Sequence, residues 1–239
     1  MNFKFFITHG LNYSLLCPIE MEAILYTALY IAFFALMDTA IKKQGFEKPY
    51  YAVHAIHNAL IVYNTVPDVY YSLTEFSKIS SYPTNIIAIQ LCFALHLYHF
   101  LLYWRTFCFT DWLHHGLMIG IALPIGCLLE AHTFLGMSLF FTTGLPGGID
   151  YILLFGSRNG YVHKETQKKV NTAMNVWIRS PGCVAMATLS LVYTLSTQEP
   201  MPMKLVALIP SILNYWNGQY FMQQVVRDSA RIGWVHVMV

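Results

Sequence analysis

Seven stretches of about twenty residues, each apolar and nearly free of charge, dominate the sequence. An α-helix rising 1.5 Å per residue needs about 20 such residues to cross a 30 Å hydrocarbon layer, whereas a barrel strand needs only about 10. The stretches run from Ile19 to Ile41, Tyr51 to Leu73, Thr84 to Phe107, Trp112 to Ala131, Phe134 to Phe155, Asn175 to Ser196 and Leu205 to Val226. The pattern predicts an all-α polytopic membrane protein with about seven transmembrane helices. Composition points the same way, with 11% of the 239 residues charged and 56% hydrophobic, against about 25% charged in a soluble domain. Polar surface that scarce cannot cover a water-soluble globule of this size. The second stretch is the most polar, because it carries His54, His57, Asn58, Asn64 and Asp68.

The few charges are placed asymmetrically. If all seven stretches span, one side of the membrane holds Lys4, Lys78 and Lys204, and the other holds the remaining 11 of the 14 lysines and arginines. Cytosolic loops carry the basic excess, so the N-terminus is expected outside or in the lumen and the C-terminus in the cytosol, in the endoplasmic reticulum or elsewhere in the secretory pathway. The first stretch is expected to be an uncleaved anchor, since His9, Gly10 and Asn12 interrupt the apolar run that follows Lys4. A net charge of +2 without a basic tract excludes the electrostatics of nucleic-acid binding, and membrane lipids are the expected partners. The five cysteines are scattered with no CxxC pair, so no disulfide framework is expected. No repeat or low-complexity stretch divides the chain. The expected organisation is residues 1–44 with the first helix, a six-helix membrane domain over 45–230, and a short cytosolic tail over 231–239.

Ionisable groups inside membrane spans are costly unless they face water or a partner, and six of the ten histidines fall there: His54, His57, His96, His99, His114 and His115. The first two pairs are spaced i, i+3, on one helix face each. Helical rise puts all six toward the cytosolic ends of their spans, together with Asp111, Asp150, Asn175, Arg179 and Asn217. The convergence predicts a water-accessible, histidine-lined cavity open to the cytosol. The competing expectation is interhelical glue, in which each His, Asn or Gln simply hydrogen-bonds a neighbouring helix. His9, His132, His163 and His236 are expected at the surface. Gly144, Pro146, Gly147 and Gly148 predict a kink or break in the fifth span, because proline removes a helical hydrogen bond.

The densest constellation is Tyr98 and His99, then Asp111-Trp112-Leu113-His114-His115 and Met118, then Gly144 to Tyr151, reading GLPGGIDY. In this constellation, and over roughly residues 45 to 230, the sequence resembles the TLC-domain family of polytopic proteins, which includes the ceramide synthases and regulators of membrane lipid composition. The resemblance implies six helices forming a barrel around a lipid-accommodating central cavity, preceded by an extra N-terminal span. It also implies that His114 and His115 correspond to the paired histidines that serve acyl transfer in the synthases. Where the synthases carry a His-Asp then Asp motif, this chain has LPGGIDY, and Asp150 takes the acidic position.

Imidazole chemistry suits such a reaction. A His can take a proton from an attacking amine or hydroxyl, or attack an activated acyl group, and a carboxylate can orient the imidazolium. His114, His115 and Asp150 are the candidate catalytic residues, and His54, His57, Asn58, His96, His99, Asp111, Asn175, Arg179 and Asn217 the candidate cavity residues. No resident cofactor is expected. Acyl-CoA is the candidate co-substrate, whose phosphates Lys164, Lys168, Lys169 and Arg179 could attract, although positive-inside topology and contact with anionic lipid account for these four residues more readily. The alternatives are a non-catalytic lipid-binding regulator of membrane composition and a metal-dependent lipid oxidase with histidine ligands.

Overall fold

The computed structural model describes residues 13–231, and every regular element among them is helical. Residues 1–12, with Lys4 and His9, and residues 232–239, with His236, lie outside the described residues. The helical rods are α1 (Tyr13–Lys43), α2 (Pro49–Thr74), α3 (Ile86–Tyr103, continued by a 3-10 turn to Thr106), α4 (109–128), α5 (132–158), α6 (164–196) and α7 (Met201–Arg231). Each coincides with one of the apolar stretches. Four of them are long and apolar enough to cross a membrane, over Glu22–Lys43, Ile86–Thr106, His132–Arg158 and Lys164–Ser196.

Polarity is distributed inside out. Large apolar side chains face outward, with Ile24 69%, Leu36 70% and Tyr63 81% exposed, while His57, Asn58, Thr65 and Ser72 are fully buried. A protein in water buries the opposite set. This explains the low hydropathy of α2. Its polar residues His54, Asn58, Thr65, Asp68 and Ser72 recur at helical spacing and are all buried, so they form one inward stripe on the helix that packs against α1, α3 and α5.

Neighbouring rods run α3, α2, α5, α6, α7 and α4, and α4 returns to α3. Helix α1 packs outside this ring against α2 and α3. Close approach of α6 to α5 depends on Gly182, where any Cβ would run into the Phe141 ring. The contact of α4 with α7 is the sparsest in the ring, made chiefly through Leu123–Leu128. The end where α1, α3 and α5 finish carries Lys42, Lys43, Lys48, Arg105 and Arg158 and is called the basic end below. A Lys168–Asp228 ion pair of 2.6 Å joins the starts and ends of α6 and α7 there.

Three rods widen locally into π turns, at Met118–Ala122 in α4, Phe140–Gly144 in α5 and Asn175–Arg179 in α6. The irregularity expected at Pro146 is the second of these. Pro146 sits in the first turn of Leu145–Arg158, so the wide turn ahead of it absorbs the missing N–H and the helix continues without a break.

Attachment of α1 rests on a group that hydropathy overlooks. Asp38 is 6% exposed and accepts hydrogen bonds from Tyr98 Oη at 2.9 Å and Tyr103 Oη at 2.8 Å. Asp38→Ala leaves two hydroxyls without an acceptor and is expected to cost about 1–3 kcal/mol. Thermal unfolding followed by cysteine accessibility should register this as a lowered midpoint, with Asp38→Asn in between; an unchanged midpoint would mean that the network contributes nothing.

Candidate functional site

Five imidazoles meet in the wedge between α2, α3 and α4, near the basic end. Their ring centroids form a chain: His54 to His99 at 4.8 Å, His99 to His115 at 5.1 Å, His115 to His96 at 5.3 Å and His96 to His114 at 5.2 Å. Two nitrogen pairs lie within hydrogen-bond reach, His96 Nε2 to His114 Nε2 at 3.3 Å and His99 Nδ1 to His115 Nε2 at 3.2 Å. The HxxH spacing on α3 makes this possible, because it turns His96 and His99 toward the two histidines that open α4. Tyr50 stacks on His99 at 5.1 Å, and Tyr151 of α5 closes on His54 at 4.5 Å. His57 stands apart, edge-on to Phe34, with its Nδ1 2.9 Å from Asn58 Oδ1, which also accepts from Thr143 Oγ1.

His114 and His115 are not equivalent. His115 is buried, stacked on Phe107 at 4.6 Å, with Nδ1 unpartnered. His114 is exposed. Successive helical positions point about 100° apart, so only one of the pair can leave the cluster. The network also fixes a tautomer. His96 Nδ1 lies 2.7 Å from the Cys92 carbonyl, so neutral His96 donates there and accepts at Nε2. His114 then donates through Nε2–H, and Nδ1 is its basic nitrogen.

His114 faces a cleft of about 620 Å³ between α4, α5, α6 and α7. The cleft follows α4 from Thr110 to Leu129, about 28 Å of helix. Leu113, Met118, Leu135, Leu139, Ala207 and Trp216 make its walls apolar; Glu130, His132 and Glu199 stand at the far end, and His114, Asn217 and Phe221 near the basic end. It exists because α4 and α7 barely touch.

Two expectations are corrected by this geometry. The cavity was expected to be histidine-lined and central, but His54, His57, His96, His99 and His115 do not line it; they are packed against one another and their neighbours. Of the expected cavity residues only Asn217 lines it, while His132, expected at the surface, lines its far end and donates from Nδ1–H to the Tyr82 carbonyl at 2.8 Å. Asp150 was expected to orient an imidazolium, yet its Oδ1 accepts from Gln167 Nε2 at 2.8 Å and it bonds to no histidine. The chain turns Tyr151, not Asp150, toward the cluster.

The remaining candidates hold the frame. Asp111 caps α4, accepting from the Cys108 N–H at 3.0 Å, and its charge acts on His99, His114 and His115. Asn175 is buried, donates to the Asn171 carbonyl at 2.8 Å and accepts from Arg179 Nη1 at 2.9 Å. Arg179 is therefore an interior group and no part of a basic surface. Among the described residues, no group of three or more His, Cys, Asp or Glu is arranged to hold a metal ion. Compared with family models, curated proteins and solved structures, the chain matches none of them.

Proposed function

We propose that the chain is a seven-span membrane protein of lipid metabolism that lodges a hydrocarbon chain in the cleft between α4 and α7 and acts on it with His114. The observation that carries this reading is the single exposed imidazole of a buried five-histidine cluster, standing near the basic end of an apolar-walled cleft about as long as a bilayer is thick. The basic end faces the cytosol, following the distribution of lysine and arginine, so His114 lies where a water-soluble acyl donor can reach it. The resemblance to the TLC-domain family supports the same placement of the paired histidines and of a six-helix ring with α1 outside, in a membrane of the secretory pathway.

The reaction that suits this arrangement is acyl transfer. His114 Nδ1 takes the proton of a lipid amine or hydroxyl as that group attacks the acyl carbonyl of a thioester. The new amide or ester bond forms, the C–S bond breaks, and the imidazolium returns its proton to the departing thiolate. His96 holds the ring of His114 and fixes which nitrogen is basic. The lack of any bond from Asp150 to the histidines favours a second reading, a non-catalytic lipid-binding protein in which the cluster only ties α2, α3 and α4 together. Lipid profiles of cells lacking the protein, complemented with wild type or His114→Ala, separate the two: full rescue by the variant rejects catalysis, and failure to rescue at equal abundance supports it.

A further inference from the structure

Asp68 is a buried carboxylate that neither the cleft nor the histidine cluster uses. It sits near the end of α2 away from the basic end, is 9% exposed, and among the described residues forms no ion pair. Asn85 Nδ2 donates to its Oδ2 at 3.1 Å. That oxygen is turned toward α5, since a Cβ at Gly136 would run into it. Asn85 is itself fixed by capping α3, where it accepts from the Ala88 N–H at 3.1 Å. The carboxylate is thus held in one orientation, and a single neutral donor does not offset the cost of burying its charge.

Asp68 also lines a pocket of about 420 Å³ at that end, between the last turns of α2 and the residues that lead into α3. With Oδ2 against Asn85 and Gly136, Oδ1 is the oxygen left to the pocket. Asn64 stands one turn away on the same face of α2, and much of the remaining wall is aromatic or aliphatic, from Tyr71, Tyr82, Ile86 and Ile87. The rings of Tyr71 and Tyr82 stack with centroids 4.3 Å apart. The cation of the adjoining loop is engaged elsewhere, because Lys78 pairs with Glu75 at 3.0 Å and the same Glu75 oxygen accepts from Tyr82 Oη at 2.8 Å. No lining residue is shared with the α4–α7 cleft.

We propose that this pocket binds a small organic ammonium group, from a lipid headgroup or a free amine, with the cationic nitrogen at Asp68. The buried carboxylate supplies the charge, tyrosine rings attract a cation to their faces, and the aliphatic wall suits the methyl or methylene groups around an ammonium nitrogen. A hard divalent ion, which takes about six or more oxygen ligands, meets one carboxylate here. The volume lies in the range of small-ligand sites, about 300–1,000 Å³. Ile86 and Ile87 are 53% and 48% exposed, so the pocket borders the lipid-facing surface at the end of the helices where headgroups lie. The site stands independently of the cleft.

The test uses the full chain purified in a non-ionic detergent and measures calorimetric binding of choline, ethanolamine, dihexanoyl phosphatidylcholine, dihexanoyl phosphatidylethanolamine and, as a lipid with the same chains and no cation, dihexanoyl phosphatidylglycerol. At least one ammonium probe should bind ten-fold or more tightly than phosphatidylglycerol. Tighter binding of the two zwitterionic lipids than of choline and ethanolamine assigns the site to a headgroup, and the reverse assigns it to a free amine. Asp68→Asn keeps the shape of the side chain and should remove the preference. Asn64→Lys sets a tethered ammonium one helical turn from Asp68 and should remove it too, with a thermal midpoint no lower than that of wild type, which reports that the chain is folded. If Asp68→Asn does not fold, Asn64→Lys decides alone. Ammonium probes that bind no more tightly than phosphatidylglycerol overturn the proposal, and so does a preference that survives either substitution in folded protein.

Discussion

His114→Ala should abolish product formation by the protein reconstituted in nanodiscs with an acyl-CoA donor and a lipid acceptor, while leaving its thermal midpoint within a few degrees of wild type. A positioned general base contributes about 10²–10⁴-fold, so the residual rate should fall to background. Little stability is lost because the ring is exposed and makes one hydrogen-bond contact, to His96. His115→Ala should do the reverse. That ring is 5% exposed, stacked on Phe107 and paired with His99, and deleting it opens a cavity and strands a partner at about 2–4 kcal/mol. Its activity should fall only with the amount of folded protein. Two adjacent histidines with opposite phenotypes would mark a site with one reacting imidazole; equal loss of activity from two stable variants would require both rings in the chemistry.

Filling the cleft should be the other large effect. Ala122 on α4 and Ala207 on α7 both line it, and a Trp at either position places an indole where the hydrocarbon would lie. Ala122→Trp and Ala207→Trp are each expected to lower lipid retained through purification, read by mass spectrometry, by ten-fold or more. The sparse α4–α7 contact lets the rods accept this bulk at less cost than a close-packed interface, where overpacking costs about 1–3 kcal/mol. The same Trp at Ile152, which is 60% exposed, is the control and should change nothing. Retention unaffected by both cleft variants would place any bound lipid elsewhere.

The helices were legible because each had to be long and apolar, and the polar stripe of α2 was legible as a deficit of hydropathy. What that stripe faces was not. His114 and His115 look identical in the chain, and their different roles arise from which neighbour fills the space a third of a turn away, a tertiary property. Asp150 illustrates the same limit of local pattern: a residue placed only by its depth can face Gln167 as readily as a histidine, and its neighbour Tyr151 packs against His54. The cleft depends on where two rods fail to touch, which no local pattern records. Asp38 did leave a signal, as a carboxylate in the otherwise uncharged part of the first apolar stretch, whose cost predicts a partner on another helix. Arg179 drew attention for its charge alone, and only the folded chain shows that it is buried.

A lipid chain seated between α4 and α7 has its polar end at His114. Photo-crosslinking tests it most directly, using the full chain in nanodiscs doped with a fatty acid that carries a diazirine in its chain, followed by mapping of the modified residues. Labelling should concentrate on cleft residues of α4 and α7, such as Leu113, Leu117, Leu213 and Trp216, and be lost in Ala207→Trp. Labelling confined to outward side chains such as Leu36, Tyr63 and Ile152, and indifferent to that substitution, would contradict it.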